Sequence, residues 1–294
     1  DRITNTPSLF SPKARIIHID VDPASISKII NADIPIVGQV KESIAALIKE
    51  IKRSKLKIDS DALDEWNSQI STWRAKHGLD HELYLKKNKS KMILPQVVVQ
   101  ELYHATNGNA WVTSDVGQHQ MFVAQYYHFN KPRRWVNSGG LGTMGFGLPA
   151  AMGVKLAFPK DEVVCVTGEG SIQMCIQELS TCLQYNLPIK IININNEALG
   201  MVRQWQDMNY GGRHSASTYS DSLPDFVKLT QSYGHVGLKV TKKSQLKKTL
   251  EKAFAMKDRL VFVDVYVDPN EHVYPMLVAP NGSMKDMWIK KNTK

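Results

Sequence analysis

The feature that most constrains the fold of this chain is a strand, helix and strand pattern. An apolar run at 163–166 ends close to a glycine and predicts a buried parallel strand. The segment 172–183 carries apolar residues at helical spacing, and Pro188 follows its end. A second apolar run, 189–194, predicts the neighbouring strand. The unit is therefore βαβ, and its loops lie at the carboxyl ends of adjacent parallel strands, where open α/β sheets bind ligands.

The two loops of this unit carry the residue types of an anion and metal site. Gly168 and Gly170 let the backbone approach a ligand closely, and the following helix N-terminus favours an anion. Glu169 in the first loop and Asn196 in the second offer oxygen ligands, which suit Mg²⁺ holding a diphosphate. A tight turn plus a polar strand end is the structural alternative. The Asn-Asn pair one βαβ unit later favours the metal site.

Three segments of this region resemble one enzyme family. They are residues 168–174, 177–181 and 195–205, and the last contains the run Met-Val-Arg-Gln-Trp. Over its whole length the chain is similar to the large, catalytic subunits of the acetohydroxyacid synthases (acetolactate synthases). That family carries the thiamine diphosphate motif, in which Gly-Asp-Gly is followed after about two dozen residues by Asn-Asn.

Glu169 departs from the family pattern, which has aspartate at this position. Glutamate keeps the charge but is one methylene longer, and Mg²⁺ demands near-ideal octahedral geometry. We therefore expect that restoring aspartate tightens Mg²⁺ binding.

The resemblance implies thiamine diphosphate and Mg²⁺ as cofactors. It implies that Glu169, Asn196 and the main-chain carbonyl of Ala198 are the metal ligands. It further implies that the Gly142 carbonyl accepts a hydrogen bond from the pyrimidine amino group, and that Met144 bends the cofactor into its reactive shape. The implied thiamine diphosphate contacts are Val116, Gly117, Gln118, His119, Gly142, Met144, Gly168, Gly170, Ser171 and Asn196.

Two of these regions have structural alternatives. Residues 116–119 follow a predicted strand at 111–115 and could form an ordinary strand-to-helix turn. The glycine-rich run 138–145 precedes an apolar helix at 146–158, whose close packing alone could account for several glycines.

The predicted fold class is α/β. The resemblance implies a thiamine-diphosphate-binding fold with a mostly parallel sheet flanked by helices, preceded by the end of a doubly wound, FAD-type central domain. The predicted domains are the end of the central domain (1–52), a connector (53–92), the diphosphate- and Mg²⁺-binding domain (93–272) and a C-terminal lid (273–294). The family's large subunit is about twice as long, so we expect a fragment lacking the pyrimidine-binding domain.

The first of these regions carries the predicted FAD contacts. An acid at the carboxyl end of a strand, as at Asp20, commonly receives a ribose hydroxyl, although a purely structural strand end is an equal alternative. Gln39 stands where the family usually has aspartate, which weakens that contact. The FAD contacts implied by the resemblance are Asp1, Arg2, Asp20, Val21, Gln39 and Val40.

The implied activity is that of acetolactate synthase, a transferase that decarboxylates pyruvate and joins the product to pyruvate or 2-oxobutyrate in branched-chain amino acid biosynthesis. Met201, Val202 and Trp205 lie on one side of a predicted helix; such a stripe is normally core, but the family uses it to line the substrate channel. The implied partners are further large subunits, as a dimer or tetramer, and a regulatory small subunit. A glutamate from the missing half of a partner subunit completes the family's site, so we expect this chain alone to be inactive.

Two rival functions remain open from the sequence. One is another thiamine-dependent carboligase or decarboxylase, against which Trp205 within Met-Val-Arg-Gln-Trp argues. The other is an inactive cofactor-binding fragment or scaffold domain.

Composition excludes other classes of function. The net charge of +9 comes from scattered lysine runs without interleaved aromatic residues, so solvated surface is favoured over nucleic-acid binding. The three cysteines lack metal spacing and predict buried apolar residues in a reducing cytoplasm. No membrane span or signal peptide is visible, which predicts a cytoplasmic protein without a membrane partner.

Overall fold

The chain divides into two units in the computed structural model, which describes residues 6–54, 56–77, 85, 88–219, 221–277 and 287–288. One unit draws on residues 1–80 and 274–294, and the other comprises residues 81–273. Most of the predicted lid, 273–294, lies outside the described residues. None of the helices in the described ranges is long and apolar enough to cross a membrane.

The first unit contains a parallel strand pair. Strands β1 (Ile17–Asp20) and β2 (Ile34–Val37) pair in register from Ile17↔Ile34 to Asp20↔Val37. Helices α1 (Val40–Ser54) and α2 (Ser60–His77) follow.

A six-stranded, all-parallel sheet forms the centre of the second unit. Its strands are β3 (Trp111–Ser114), β4 (Trp135–Asn137), β5 (Val163–Thr167), β6 (Lys190–Asn195), β7 (Val236–Val240) and β8 (Val261–Tyr266). They lie in the order β4-β3-β5-β6-β8-β7, so the α/β prediction is confirmed.

Helices flank this sheet. They are α3 (Pro95–Thr106), α4 (Gln118–Tyr126), α5 (Gly147–Ala157), α6 (Glu169–Gln173), α7 (Glu178–Gln184), α8 (Gly200–Asn209), α9 (Phe226–Ser232) and α10 (Lys243–Ala255). The single helix predicted over 172–183 is divided between α6 and α7. Residues 174–178 instead make successive i→i+3 backbone bonds, such as Met174 to Ser171 and Cys175 to Ile172, which tighten the chain into turns. The first unit adds a short antiparallel pair, β9 (Met276–Leu277) and β10 (Met287–Trp288).

The two central strands, β5 and β6, are fully buried, as their mostly apolar runs predict. Val163, Val164 and Val166 on β5 and Ile191 and Ile192 on β6 have no exposed surface. Each such side chain contributes about 1.5–3 kcal/mol of burial free energy. The three cysteines are free and buried in the same region, as predicted, and burial raises the pKa of the thiols of Cys175 and Cys182 to about 12.

The strand order creates a crevice between β3 and β5. The chain continues from β3 to its outer neighbour β4, whereas it continues from β5 in the opposite direction, to β6. The loops that leave β3 and β5 therefore diverge to opposite sides. Such a switch point, at the carboxyl ends of the strands, is where sheets of this type bind ligands.

Candidate functional site

A cavity opens at this switch point. It is lined by the loops after β3, β5 and β6 and by the start of α8. The sequence-predicted site residues that line it are Val116, Gly117, Gln118, His119, Met144, Gly168, Glu169, Gly170, Ser171, Asn196, Ala198, Met201 and Val202. The structure therefore brings together residues that lie on four separate segments of the chain.

Close packing explains both glycines of the loop after β5. A side chain at Gly168 would meet the imidazole of His119, at 2.8 Å from Nδ1. A side chain at Gly170 would collide with the hydroxyl of Tyr219 and lie 2.8 Å from Leu199. The absence of Cβ atoms here lets three loops approach one another at the cavity wall.

Glu169 is buried at this wall, with 1% of its surface exposed. Its Oε1 accepts a hydrogen bond of 2.7 Å from the backbone N–H of Ala198, in the loop after β6. Burial raises the pKa of this carboxyl to about 8, although backbone hydrogen bonds oppose the shift. A carboxylate in this position needs a cation to offset its desolvation.

The side-chain oxygen of Asn196 converges on the same point. Its Oδ1 lies 3.2 Å from the Ala198 N–H, while its Nδ2 donates to Oε1 of Gln118 at 3.0 Å. The second bond fixes the orientation of the amide group. The side-chain oxygens of Glu169 and Asn196 thus lie close to the same backbone N–H, that of Ala198.

The backbone of Ala198 presents its polar groups to the same side. Ala198 forms an antiparallel bridge with the 217–219 segment, and its neighbours Leu199 and Glu197 make the flanking backbone hydrogen bonds at 2.8 and 3.1 Å. In such a bridge the amide and carbonyl of the central residue both face away from the partner strand. The Ala198 amide faces Glu169, so its carbonyl lies on that side too.

These three oxygen donors fit Mg²⁺. One anionic carboxylate, one amide and one main-chain carbonyl make a hard oxygen set that leaves positions for phosphate oxygens and water. Within the described ranges, no group of three or more histidine, cysteine, aspartate or glutamate residues could hold a metal ion.

His119 supplies a polar group towards the cavity. The side chain is buried, and burial lowers its pKa to about 3, so the imidazole is neutral at physiological pH. Its Nε2 has no hydrogen-bond partner among the residues that the structure describes. A buried polar atom that lines a cavity without a partner fits a ligand that would complete its bonding.

The glycine-rich loop places Met144 at the cavity and Gly142 beside it. Gly142 has a φ of 69°, which favours glycine, and its N–H donates to the Ser138 carbonyl at 3.0 Å. A Cβ on Gly142 would lie 3.9 Å from Val116, so the two loops are neighbours even though Gly142 does not line the cavity.

The start of α8 is not packed into the core. Met201 and Val202 line the cavity, and Val202 and Trp205 are 47% and 39% exposed. The core interpretation of this apolar stripe therefore does not hold for the described residues. Trp205 lies one turn beyond Met201, outside the cavity lining.

The loop after β6, residues 196–199, is called the metal loop below because it carries two of the three candidate metal ligands. A buried polar network behind this loop was not predicted from the sequence. Gln118 Nε2 donates to Oε1 of Gln204 at 2.7 Å, and Gln204 holds both the N–H and the carbonyl of Val273, at 2.9 and 3.0 Å. Gln118 was predicted as a cofactor contact, but its side chain points to Asn196 and Gln204. Ser171 also has a structural bond, since its hydroxyl donates to the Val116 carbonyl at 3.0 Å.

Four of the six predicted FAD contacts, Asp20, Val21, Gln39 and Val40, lie at one end of the strand pair in the first unit. Asp20 ends β1 and its Oδ1 accepts from the N–H of Asp22 at 2.9 Å, and its carbonyl accepts from Gly38 after β2. Val21 and Val40 are exposed beside this end. Asp1 and Arg2 lie outside the described residues.

Burial of Glu169 predicts how the stability of the metal-free protein depends on pH. Between its ordinary pKa of 4.5 and about 8, the unfolded chain releases a proton that the folded chain keeps. The free energy of unfolding should therefore fall as the pH rises through this window, by about 2–4 kcal/mol from this residue. Urea unfolding in EDTA at pH 5 and pH 8 should show this component in the unsubstituted chain and not in Glu169→Gln. The same pH dependence in both proteins would contradict the burial of a protonated carboxyl.

Comparison with known proteins agrees with this geometry. The family model described as "Thiamine pyrophosphate enzyme, C-terminal TPP binding domain" matches residues 115–265, and "Thiamine pyrophosphate enzyme, central domain" matches residues 1–47. The first match covers the crevice and all three loops around it.

Individual relatives of this chain are named as large subunits of acetolactate synthase. The acetolactate synthase large subunit of Buchnera aphidicola subsp. Schizaphis graminum is 55% identical over 99% of this chain and 50% of its own length. The acetolactate synthase isozyme 3 large subunit of Escherichia coli K12 is 52% identical over 100% of the chain and 50% of its own length. The acetolactate synthase large subunit of Haemophilus influenzae is 52% identical over 99% of this chain and 49% of its own length. The predicted resemblance is confirmed, the chain spans about half the length of the curated relatives it matches, and it belongs to the thiamine pyrophosphate enzymes.

Proposed function

We propose that this chain carries the thiamine diphosphate site of an acetolactate synthase. The observation that carries the proposal is the convergence of Glu169 Oε1 and Asn196 Oδ1 on the Ala198 amide, at 2.7 and 3.2 Å, at the switch point of the sheet. Glu169, Asn196 and the Ala198 carbonyl would hold Mg²⁺, and the ion would hold the diphosphate.

The loops after β3 and β5 would hold the diphosphate itself. Residues 116–119 and 168–171 line the cavity, and their backbone N–H groups would donate to the phosphate oxygens. The Ser171 to Val116 bond keeps the two loops at a fixed separation.

Met144 at the cavity and Gly142 beside it would orient the reactive part of the cofactor. When bound, thiamine diphosphate supplies a carbon centre that adds to a 2-oxo acid and accepts the electron pair released on loss of CO₂. The Gly142 carbonyl would accept a hydrogen bond from the pyrimidine amino group, and the apolar side chain of Met144 would pack against the cofactor. Both roles are positional, because the protein contributes geometry while the cofactor contributes the chemistry.

The substrates would be pyruvate and, as second acceptor, pyruvate or 2-oxobutyrate. The exposed apolar side chains of Val202 and Trp205, with Met201 at the cavity, would line the approach and contact the alkyl group of the acceptor. An apolar approach also excludes water, which would otherwise protonate a carbanion.

Further cofactors and partners belong to the same proposal. FAD would bind at Asp20, Val21, Gln39 and Val40 in the first unit, where the central-domain model matches. The relatives are named large subunits, which supports assembly with further large subunits and with a regulatory small subunit. We place the enzyme in the cytoplasm.

A product assay tests the proposed function. The half of the E. coli isozyme 3 large subunit that this chain does not match would be joined to it, and both the chimera and the 294-residue chain would be incubated with pyruvate, thiamine diphosphate and Mg²⁺. We expect acetolactate from the chimera, acetohydroxybutyrate when 2-oxobutyrate is added, and no product from the chain alone. Acetaldehyde as the only product would support a thiamine-dependent decarboxylase instead. A chimera that binds the cofactor but forms no product would also contradict the proposal.

A further inference from the structure

A buried carboxylate lies behind the metal loop, outside the cavity. Asp264 is near the middle of β8, directly opposite Asn193 on β6, and only 1% of its surface is exposed. It does not line the cavity. Burying a carboxylate costs several kcal/mol unless hydrogen bonds offset the loss of water, so its partners indicate why the position is occupied by an acid.

Two asparagines of β6 donate to the same oxygen of this carboxylate. Asn193 Nδ2 lies 2.8 Å and Asn195 Nδ2 3.1 Å from Asp264 Oδ1. Both amides are buried, and they are two residues apart on one strand, so they occupy the same face of the sheet.

Only one of these two amides is hydrogen-bonded to the metal loop within the described residues. Asn195 Oδ1 accepts from the backbone N–H of Glu197 at 3.2 Å, whereas Asn193 Oδ1 has no partner among those residues. Glu197 has a φ of 58°, in the left-handed region that is strained for residues other than glycine. The bond from Asn195 supports that turn.

The left-handed turn determines where the proposed metal ligands lie. Glu197 stands between Asn196 and Ala198. Its left-handed conformation brings the Asn196 side-chain oxygen and the Ala198 backbone N–H together beside Glu169. A hydrogen-bonded chain therefore runs from Asp264 through the Asn195 amide to the Glu197 N–H.

We propose that Asp264 and Asn195 are positioning residues for the metal site. Asp264 fixes the rotamer and orientation of the Asn195 amide, and Asn195 holds the Glu197 turn that brings Asn196 and Ala198 to the cation. This inference rests on the proposed function of the same site. Neither residue lines the cavity, so each would act through the loop at 196–198.

The pair of asparagines supplies a matched experiment. Asn195→Ala and Asn193→Ala each remove one buried amide from the same acceptor oxygen, but only the first removes the bond to the loop. For the 294-residue chain and both variants, Mn²⁺ affinity would be measured by electron paramagnetic resonance with thiamine diphosphate present, and unfolding by urea in EDTA.

We expect both variants to lower the urea midpoint to a similar extent. Asn195→Ala should weaken Mn²⁺ binding by about 10–100-fold, the range typical for groups that orient metal ligands, whereas Asn193→Ala should change it by less than about threefold. Equal losses of affinity in the two variants, or no loss in Asn195→Ala, would overturn the inference.

A third variant, Asp264→Asn, removes the charge of Asp264 but keeps an oxygen that can accept hydrogen bonds. It tests the inference even if Asn195→Ala fails to fold. The amide oxygen can still accept from both asparagines, so Mn²⁺ affinity should stay within about threefold of the unsubstituted chain if orientation is what matters. A loss above about tenfold would assign the effect to the charge of Asp264 and contradict the positioning role. If the unsubstituted chain binds no Mn²⁺ with thiamine diphosphate, the proposed metal site itself fails, and this inference fails with it.

Discussion

Replacing Glu169 with glutamine is expected to remove Mg²⁺-dependent binding of thiamine diphosphate, with a loss of affinity of at least about 100-fold. Of the three proposed metal ligands, only the carboxylate carries a charge. At an effective dielectric constant near 20, its attraction to a divalent cation is worth several kcal/mol, and about 2.7 kcal/mol already corresponds to 100-fold. Glutamine keeps the shape and can still accept from the Ala198 amide, so the loop geometry should persist. Titration calorimetry of thiamine diphosphate with and without Mg²⁺ would measure the loss.

Two variants serve as comparisons for this result. Glu197→Gln neutralises an exposed carboxylate in the adjacent loop and should leave affinity unchanged. Glu169→Asp shortens the side chain to the length found in the family and should tighten Mg²⁺ binding. A loss of less than about tenfold in Glu169→Gln, or a comparable loss in Glu197→Gln, would show that the charge at 169 does not hold the ion.

The second large effect is expected from Gly200→Ala, the first residue of α8. A Cβ at this position would collide with Gln118 Oε1 and Asn196 Nδ2, and these two atoms form the bond that orients the Asn196 amide. Alanine is more favourable in a helix than glycine by about 1 kcal/mol, which should offset part of the cost of the collision, so the free energy of unfolding should change little. Mg²⁺-dependent binding of thiamine diphosphate should fall by about tenfold or more, because the amide oxygen loses its fixed direction. Calorimetry and urea unfolding of the same sample would separate the two effects.

Gly153→Ala is the matched control for this substitution. Gly153 lies on the exposed side of α5, and a Cβ there would have no neighbouring atom within 4 Å. The control should leave binding unchanged and stabilise the fold slightly. Equal binding by Gly200→Ala and Gly153→Ala would contradict the role assigned to the Gln118–Asn196 bond.

The buried strands could be predicted from the sequence, whereas the edge strands could not. The runs in β5 and β6 are mostly apolar because both faces of a central parallel strand are covered. Strands β4 and β7 form the two edges of the sheet and were not predicted. They are short or interrupted by glycine and lysine, since an edge strand is partly solvated and its sequence carries a weaker apolar signal.

A similar division holds for the site. Glu169 and Asn196 could be predicted because their spacing follows from the βαβ unit that carries them. Gln204 and Asp264 could not, since they meet their partners Gln118 and Asn193 across 86 and 71 residues of chain. Such contacts depend on the order of strands and on helix packing, for which the sequence offers no local spacing.

The central claim is that Glu169, Asn196 and Ala198 jointly bind a divalent cation that holds a diphosphate. A crystal structure of the chain with Mn²⁺ and thiamine diphosphate, with anomalous scattering recorded at the manganese edge, tests it most directly. We predict one anomalous peak at about 2.1 Å from Glu169 Oε1, Asn196 Oδ1 and the Ala198 carbonyl oxygen, with phosphate oxygens in the same shell. A cofactor bound with its cation beyond coordinating distance of Glu169 and Asn196 would contradict the claim.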